Sequence, residues 1–172
     1  FDHIPPDTLR WEFNTPGNTE GWLSQWTGHA SIAVVDTALV VTVTDTYPEI
    51  KSAAGLGIKA ATYDKLIISM KNNTTSSDFY LSYYFPDGEL VYKRFTPSTM
   101  DTSFREYVFD MSTEPKWQGT IDQIRWLVAR FVGTGTVEID YVRLAIIDGP
   151  LSDEAALSGI MAQASLNALL VG

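Results

Sequence analysis

The sequence predicts an all-β fold, an antiparallel β-sandwich followed by a C-terminal tail of different character. From Leu9 to about Ile147, short stretches rich in β-branched and aromatic residues alternate apolar and polar positions, and turn residues separate them. Strands at this spacing indicate antiparallel pairing and not a parallel sheet with crossover helices. We therefore divide the chain into a sandwich domain at residues 9–147 and a tail at residues 148–172.

Seven segments carry the strand pattern most clearly. In one of them, Leu66, Ile68 and Met70 share a face, which is the pattern of a half-buried strand. The sequence Pro86-Asp87-Gly88 stands between two others and predicts a hairpin turn. The predicted strands are residues 38–44, 65–71, 78–85, 89–95, 104–110, 123–131 and 137–144.

The tail has a helical or extended character of its own. Residues 152–154 supply an N-cap and early acidic groups, and residues 155–170 are rich in Ala, Leu, Met and Gln. The polar face of such a helix is thin, and no lysine or arginine follows Arg143. We predict that the tail docks, either onto its own sandwich or onto a neighbouring subunit.

Composition and charge exclude several classes of partner. The net charge is −9, so the surface repels phosphate backbones and anionic lipid headgroups, and we expect no nucleic-acid partner. The chain has no cysteine, which excludes disulfides and thiolate sites, and no apolar run approaches the roughly 20 residues of a membrane span. An acidic surface remains compatible with neutral sugars or with a bound cation.

The sequence carries no recognisable catalytic motif. His3 and His29 are the only histidines, and no Gly-x-Ser-x-Gly sequence accompanies them. Glu106 and Glu138 are the one carboxylate pair that invites comparison with a glycosidase, but both are simply acidic residues on predicted strands. We predict that the chain is not an enzyme.

Three groups of residues, in their order, resemble a known family. These are Trp11-Glu-Phe13 with Glu20-Gly-Trp22, then residues 66–71 with a tyrosine-rich strand behind them, then residues 135–144. The order is similar to that of jelly-roll carbohydrate-binding modules and related galactose-binding-like domains of bacterial extracellular enzymes and surface proteins. The resemblance spans residues 9–147. It implies a jelly roll, a non-catalytic glycan-binding role outside the cytoplasm, and core positions for Trp11 and Trp22.

Sugar binding needs aromatic rings that face solvent beside polar hydrogen-bonding groups. Trp26 lies in the polar, loop-like stretch 23–29, and Trp117 follows Pro115 in another. Trp126 lies between Ile124 and Val128 on one alternating face and is expected in the core. Tyr80, Tyr84, Tyr92 and Arg94, on two adjacent predicted strands, are expected on an exposed concave face. For each candidate the alternative is a half-buried packing role. The candidates are Trp26, Tyr80, Tyr84, Tyr92, Arg94 and Trp117.

The resemblance also implies a structural calcium ion between the first and last strands. Glu12 and Asp140 stand where it would place side-chain ligands, with Asn14 or Asn18 as possible supplements. Calcium takes several oxygen ligands from carboxylates, amides and carbonyls. The alternative is that Glu12 and Asp140 are ordinary outward residues, and no contiguous calcium-binding loop occurs in the sequence.

Two functions from different classes are open at this point. In the first, the chain is an extracellular carbohydrate-binding module that holds a larger protein against a polysaccharide. In the second, it is a structural subunit or decoration of a virion, a filament or a cell-surface layer, and residues 150–172 mediate self-association. Both place the chain at a cell or virion surface or in the extracellular space.

Overall fold

Thirteen strands and two short 3-10 turns make up the regular structure of residues 9–146, the part of the chain that the computed structural model describes. The 3-10 turns are Ala60–Thr62 and Met111–Thr113. The strands are β1 (Leu9–Trp11), β2 (Leu23–Ser24), β3 (Ala30–Val35), β4 (Ala38–Val43), β5 (Glu49–Lys51), β6 (Ile58–Lys59), β7 (Lys65–Asn72), β8 (Phe79–Tyr84), β9 (Leu90–Phe95), β10 (Arg105–Asp110), β11 (Thr120–Ile121), β12 (Gln123–Leu127) and β13 (Gly135–Ala145).

The strands form two main sheets in which every pair is antiparallel. The six-stranded sheet has the order β10-β7-β13-β4-β3, and β1 pairs with the second half of β13. The five-stranded sheet has the order β2-β5-β12-β8-β9, and a short third sheet joins β6 to β11. This arrangement confirms the predicted all-β sandwich. The predictions for the tail at residues 148–172 fall outside the described residues.

The core lies between the two sheets and is filled from alternate positions of their strands. On β7, Leu66, Ile68 and Met70 are fully buried, as their period-2 pattern predicts. From the other sheet Trp126 is also fully buried, and it contacts aromatic rings of β9 and β10. The predicted core positions of Trp11 and Trp22 are confirmed, since both are buried and their rings pack edge to face at 5.4 Å.

The predicted hairpin between β8 and β9 is confirmed. The Phe85 amide donates to the Glu89 carbonyl at 3.0 Å, and the Gly88 amide donates back to the Phe85 carbonyl at 2.9 Å. Gly88 has φ of +87°, a backbone conformation that glycine adopts without strain. The turn sets the register in which Tyr80 of β8 faces Arg94 of β9.

The strand predicted at residues 123–131 ends early, at Leu127. The backbone turns there because Ala129 and Phe131 both have positive φ, at +49° and +72°. The Arg130 amide donates to the Asp78 carbonyl and the Phe131 amide to the Thr46 carbonyl, so the chain leaves the sheet and is anchored to two neighbouring loops. The strand was predicted to continue to residue 131 because the apolar alternation of residues 123–128 contains no signal that a turn follows.

Within residues 9–146, no helix is long and apolar enough to span a membrane.

Candidate functional site

Most of the predicted sugar-binding side chains lie on the outer face of the five-stranded sheet. Alternate residues of β8 are fully buried in the core, so Tyr80, Ser82 and Tyr84 lie on the opposite face, where Ser82 is itself covered and only 2% exposed. Across the strand boundary, Tyr80 pairs with Arg94 and Ser82 pairs with Tyr92. We call this surface the tyrosine face; its outward residues are Glu49, Lys51, Tyr80, Ser82, Tyr84, Leu90, Tyr92, Arg94, Gln123, Arg125 and Leu127.

A cleft of about 310 Å³ opens at one end of the tyrosine face. Tyr92 is its most exposed ring, at 65%, and stands edge to face with Tyr80, the ring centroids 6.5 Å apart. An exposed ring beside a second ring provides the apolar surface on which a sugar can stack. We call this feature the tyrosine cleft; it is lined by Tyr47, Tyr80, Tyr92, Leu127 and Arg130.

Arg130 organises the cleft from its wall. Its terminal nitrogens donate to the phenol oxygens of Tyr47 at 2.6 Å and Tyr80 at 3.3 Å. The guanidinium carbon also lies 4.9 Å from the centre of the Tyr47 ring and 4.1 Å from the centre of the exposed Phe131 ring. The sequence prediction did not include Arg130, Tyr47 or Phe131, because the turn after Leu127 that brings them together has no clear sequence signal.

One carboxylate serves two arginines beside the cleft. Asp78 accepts from Nε of Arg94 at 2.6 Å, and its other oxygen lies 3.6 Å from a terminal nitrogen of Arg130. The Arg94 side chain is 61% exposed, whereas that of Asp78 is 16% exposed. Asp78 therefore fixes two cations, and Arg94 remains open to solvent at the rim.

Tyr84 lies on the same face but its ring is already in contact with a cation. The guanidinium of Arg125 lies 3.9 Å from the ring centre, and Nε of Arg125 donates to Gln123 at 2.8 Å. Burial raises the pKa of the Tyr84 phenol, with Arg125 opposing that effect. Since Arg125 covers one side of the Tyr84 ring, Tyr92 offers the more accessible stacking surface.

Trp26 lies at the same end of the sheet as the cleft, in the loop after β2. Its ring is 50% exposed, in agreement with the loop position predicted for it. The adjoining backbone is held to the sheet, because the Gln25 amide donates to the Glu49 carbonyl at 2.7 Å. His29 closes the loop, with Nδ1 3.2 Å from the carbonyl oxygen of Tyr47, a cleft residue.

The prediction that Trp117 is an exposed sugar contact is wrong. Its side chain is buried, with the residue only 8% exposed, and its ring packs edge to face on Tyr83 at 5.1 Å. The indole nitrogen donates to the Tyr63 carbonyl at 2.7 Å, so its polar atom is satisfied inside the protein. The short loop after the Met111–Thr113 turn folds this ring inward, and Pro115, two residues before it, gives no sign of this in the sequence.

The predicted calcium ligands Glu12 and Asp140 lie near one another, with an arginine between them. Both carboxylate oxygens of Glu12 accept from Arg143, each at 2.9 Å. Asp140 occupies a bulge of β13, and burial raises its pKa, with Arg143 opposing this effect and Glu12 adding to it. Asn14 is exposed, and Asn18 accepts from the Glu20 amide.

Residues 9–146 contain no group of three or more acidic, histidine or cysteine side chains arranged to hold a metal. Calcium also takes carbonyl and amide oxygens, which are not among the side chains of such a group. The Arg143 guanidinium is a direct competitor for the Glu12 carboxylate. Calcium binding therefore stays a prediction.

The comparisons with known proteins concern the fold. No protein-family profile matches the chain. No curated protein sequence is significantly similar to it. Among solved structures, a mutant of a carbohydrate binding module of family 29 is 15% identical, with a TM-score of 0.57 over 80% of this chain and 91% of that one.

Two further structures show the same likeness. A family 29 carbohydrate binding module from Piromyces equi is 15% identical, with a TM-score of 0.55 over 86% of this chain and 99% of that one. A low-affinity xylan-binding module from Roseburia intestinalis is 12% identical, with a TM-score of 0.54 over 80% of this chain and 94% of that one. The chain therefore has the β-sandwich fold of carbohydrate-binding modules.

Proposed function

We propose that the chain is a non-catalytic, extracellular carbohydrate-binding module and that the tyrosine cleft, with Trp26 beside it, is its ligand site. The observation that carries the proposal is the exposed ring of Tyr92, which stands in a cleft among groups able to bond sugar hydroxyls. Structures with this fold include two mutants of one family 29 module, the first complexed with mannohexaose and the second with cellulohexaose. Such ligands are linear chains, which suit an open face better than a closed cavity.

The chemistry of a pyranose matches the side chains present. Its axial C–H groups form an apolar surface that stacks on Tyr92, and its hydroxyl groups require donors and acceptors at the ring edge. Arg94 and Arg130 supply donors there, and Asp78 supplies an acceptor. The Tyr92 ring is in T-shaped contact with the neighbouring Tyr80 ring, and this contact limits the side-chain entropy that Tyr92 loses when a ligand binds.

The carboxylates that invited comparison with a glycosidase are engaged in structural contacts. Glu106 accepts from the Tyr141 hydroxyl, and Glu138 pairs with Lys71 at 2.6 Å. Burial acts to raise the pKa of Glu138, but hydrogen bonds from Lys71 and Asn73 prevail and lower it. A general acid for glycoside cleavage needs a raised pKa, so this pair supports a binding role and not catalysis.

The first experiment is a glycan-array screen of the intact chain, followed by calorimetry on each hit. We expect Tyr92→Ala to weaken binding at least about tenfold, because truncation removes the stacking surface. The matched control is Val108→Ala, which truncates a side chain 53% exposed on the other sheet and is expected to leave affinity unchanged. Equal affinity of wild type and Tyr92→Ala would place the site elsewhere.

A blank array would withdraw the binding proposal. The structural-subunit hypothesis would then take its place, and it rests on residues 150–172, which lie outside the described part of the chain. Its test is deletion of those residues with light scattering before and after. An oligomer that becomes a folded monomer supports assembly, and an unchanged monomeric mass rejects it.

A further inference from the structure

The tyrosine face and cleft carry a surplus of positive charge on an acidic protein. Four basic side chains, Lys51, Arg94, Arg125 and Arg130, accompany only two acidic ones, Glu49 and Asp78. The whole chain has a net charge of −9. Because the rest of the molecule is acidic, these cations are a local feature of the candidate site and not a consequence of overall composition.

The cations beside the cleft are only partly neutralised. Asp78 is the single carboxylate shared by Arg94 and Arg130. Arg94 uses only Nε for it, and neither of its terminal nitrogens has a hydrogen-bond partner among residues 9–146. Arg130 gives its terminal N–H groups to two neutral phenols, while its buried Nε has no acceptor in the same part of the chain. Within residues 9–146, one guanidinium charge of this pair is therefore left without a carboxylate partner.

A neutral sugar leaves that charge uncompensated. Covering an arginine with a neutral chain removes water from it and returns only hydroxyl hydrogen bonds, whereas a carboxylate or sulfate returns a charge-assisted, bidentate pair. The geometry suits such a group. Tyr92 and Arg94 are alternate residues of β9, about 7 Å apart along the strand, so an acidic substituent on the stacked sugar or on the next one reaches Arg94.

We infer that the ligand of this site is an acidic oligosaccharide, in which one sugar stacks on Tyr92 and a carboxylate or sulfate binds Arg94 and Arg130. The inference rests on the proposed function, because it names the ligand class of the same cleft. It distinguishes this chain from a binder of neutral glucans, mannans or xylans. Arg94 and Arg130 are then the residues that make the site specific for acidic sugars. Tyr92 supplies stacking that does not depend on which sugar is bound.

The test compares ligands that differ only in charge. Hexamers of galacturonate and of mannuronate are titrated against their methyl esters, a sulfated galactan hexamer against its desulfated form, and cello-, manno- and xylohexaose serve as neutral ligands. We expect at least one acidic hexamer to bind about tenfold more tightly than its neutral counterpart at low salt. The advantage should shrink to about threefold or less at roughly 500 mM salt, where charges at the surface are screened. The uronate and sulfate arms show which anion is preferred.

Three substitutions locate the effect. Arg94→Gln and Arg130→Gln should each lower the affinity for the acidic hexamer by a larger factor than the affinity for the neutral hexamers, so that most of the preference for the acidic hexamer is lost. The control is Arg10→Gln, which makes the same charge change at an exposed position of β1 on the other sheet. Arg94 is 61% exposed, so Arg94→Gln keeps the test valid even where Arg130→Gln disturbs the turn that holds it.

The outcomes separate this inference from the function on which it rests. Equal binding within every pair of acidic and neutral hexamers, or tighter binding of the neutral hexaoses, overturns the inference and leaves the carbohydrate-binding proposal intact. An equal loss of preference in Arg10→Gln also overturns it, since the effect would then come from net charge. Failure of every saccharide to bind rejects the proposed function, and the inference with it.

Discussion

The outer faces of the two sheets use the same kinds of side chain in different ways. On the six-stranded sheet, Arg143 is locked onto Glu12 by two hydrogen bonds of 2.9 Å and lies 3.6 Å from the centre of the Tyr141 ring. We call this surface the ion-pair face; it comprises Glu12, Ser69, Lys71, Glu106, Glu138, Asp140, Tyr141 and Arg143. On the tyrosine face, the two terminal nitrogens of Arg94 have no hydrogen-bond partner within residues 9–146, and Tyr92 is 65% exposed.

The comparison shows that arginine and tyrosine do not mark a binding site by themselves. Both faces stack guanidinium groups on phenol rings, Arg143 on Tyr141 and Arg125 on Tyr84. The difference lies in the balance of partners, since acidic residues outnumber basic ones on the ion-pair face and the reverse holds around the tyrosine cleft. A face whose polar groups satisfy one another contributes to stability, and a face that leaves some unsatisfied is available to a ligand.

The largest expected effect is on stability, from breaking the ion-pair face. Glu12→Gln leaves Arg143, whose side chain is only 18% exposed, without its carboxylate. We expect the free energy of unfolding to fall by about 1–3 kcal/mol, measured by urea denaturation, with sugar binding unchanged. The control is Glu89→Gln, whose pair with Lys116 is solvent-exposed and whose loss should change stability by less than about 0.5 kcal/mol. Similar losses in the two variants would contradict the distinction.

A substitution on the tyrosine face should have the opposite pattern of effects: a large loss of ligand binding and a small change in stability. Tyr92→Ala removes a ring that is mostly in water and touches Tyr80 only at its edge. We expect the free energy of unfolding to change by less than about 1 kcal/mol, although ligand binding is lost. A stability loss as large as that of Glu12→Gln would mean that Tyr92 is a packing residue. Both faces would then contribute to stability, and the proposed difference between them would be wrong.

The same contrast explains how much of the molecule could be predicted from the sequence. Strands are recognisable from the alternation of apolar and polar residues. The sequence therefore predicts five strands to within about two residues at each end: β4, β7, β8, β9 and β13. Alternation also predicts which side chains share a face. Tyr80, Tyr84, Tyr92 and Arg94 were therefore grouped correctly on one surface.

What alternation cannot give is the path of the chain between strands. Arg130 enters the cleft only because Ala129 and Phe131 adopt positive φ, which is unusual for residues other than glycine and has no local sequence signature. Trp117 was misassigned for the same reason, since nothing in its loop shows that the ring turns toward Tyr83. The cleft is a product of loop geometry, and only two of its five lining residues, Tyr80 and Tyr92, were predicted from the sequence.

A smaller effect is expected from acid. The pKa of Glu138 is lowered in the folded state, because its bonds to Lys71 and Asn73 outweigh burial. The stability it contributes is therefore fully present above its ordinary pKa of about 4.5 and is lost as the pH falls through the lower folded value. We expect Glu138→Gln to lose up to about 1 kcal/mol relative to wild type at pH 7, and the difference to shrink toward pH 3. A difference independent of pH would assign the effect to packing instead of charge.

The last effect concerns calcium at the ion-pair face. Calcium and Arg143 compete for the Glu12 carboxylate, so the prediction from sequence requires the ion to displace a guanidinium already bound at 2.9 Å. On that prediction, chelation lowers the melting temperature by several degrees, because a ligand of the folded state alone stabilises it. Asp140→Asn should abolish the calcium response. Without calcium it should raise stability slightly at neutral pH, since burial disfavours the Asp140 carboxylate. If chelation leaves the melting temperature unchanged and elemental analysis finds no metal, the calcium prediction is wrong and the Glu12 carboxylate binds only Arg143.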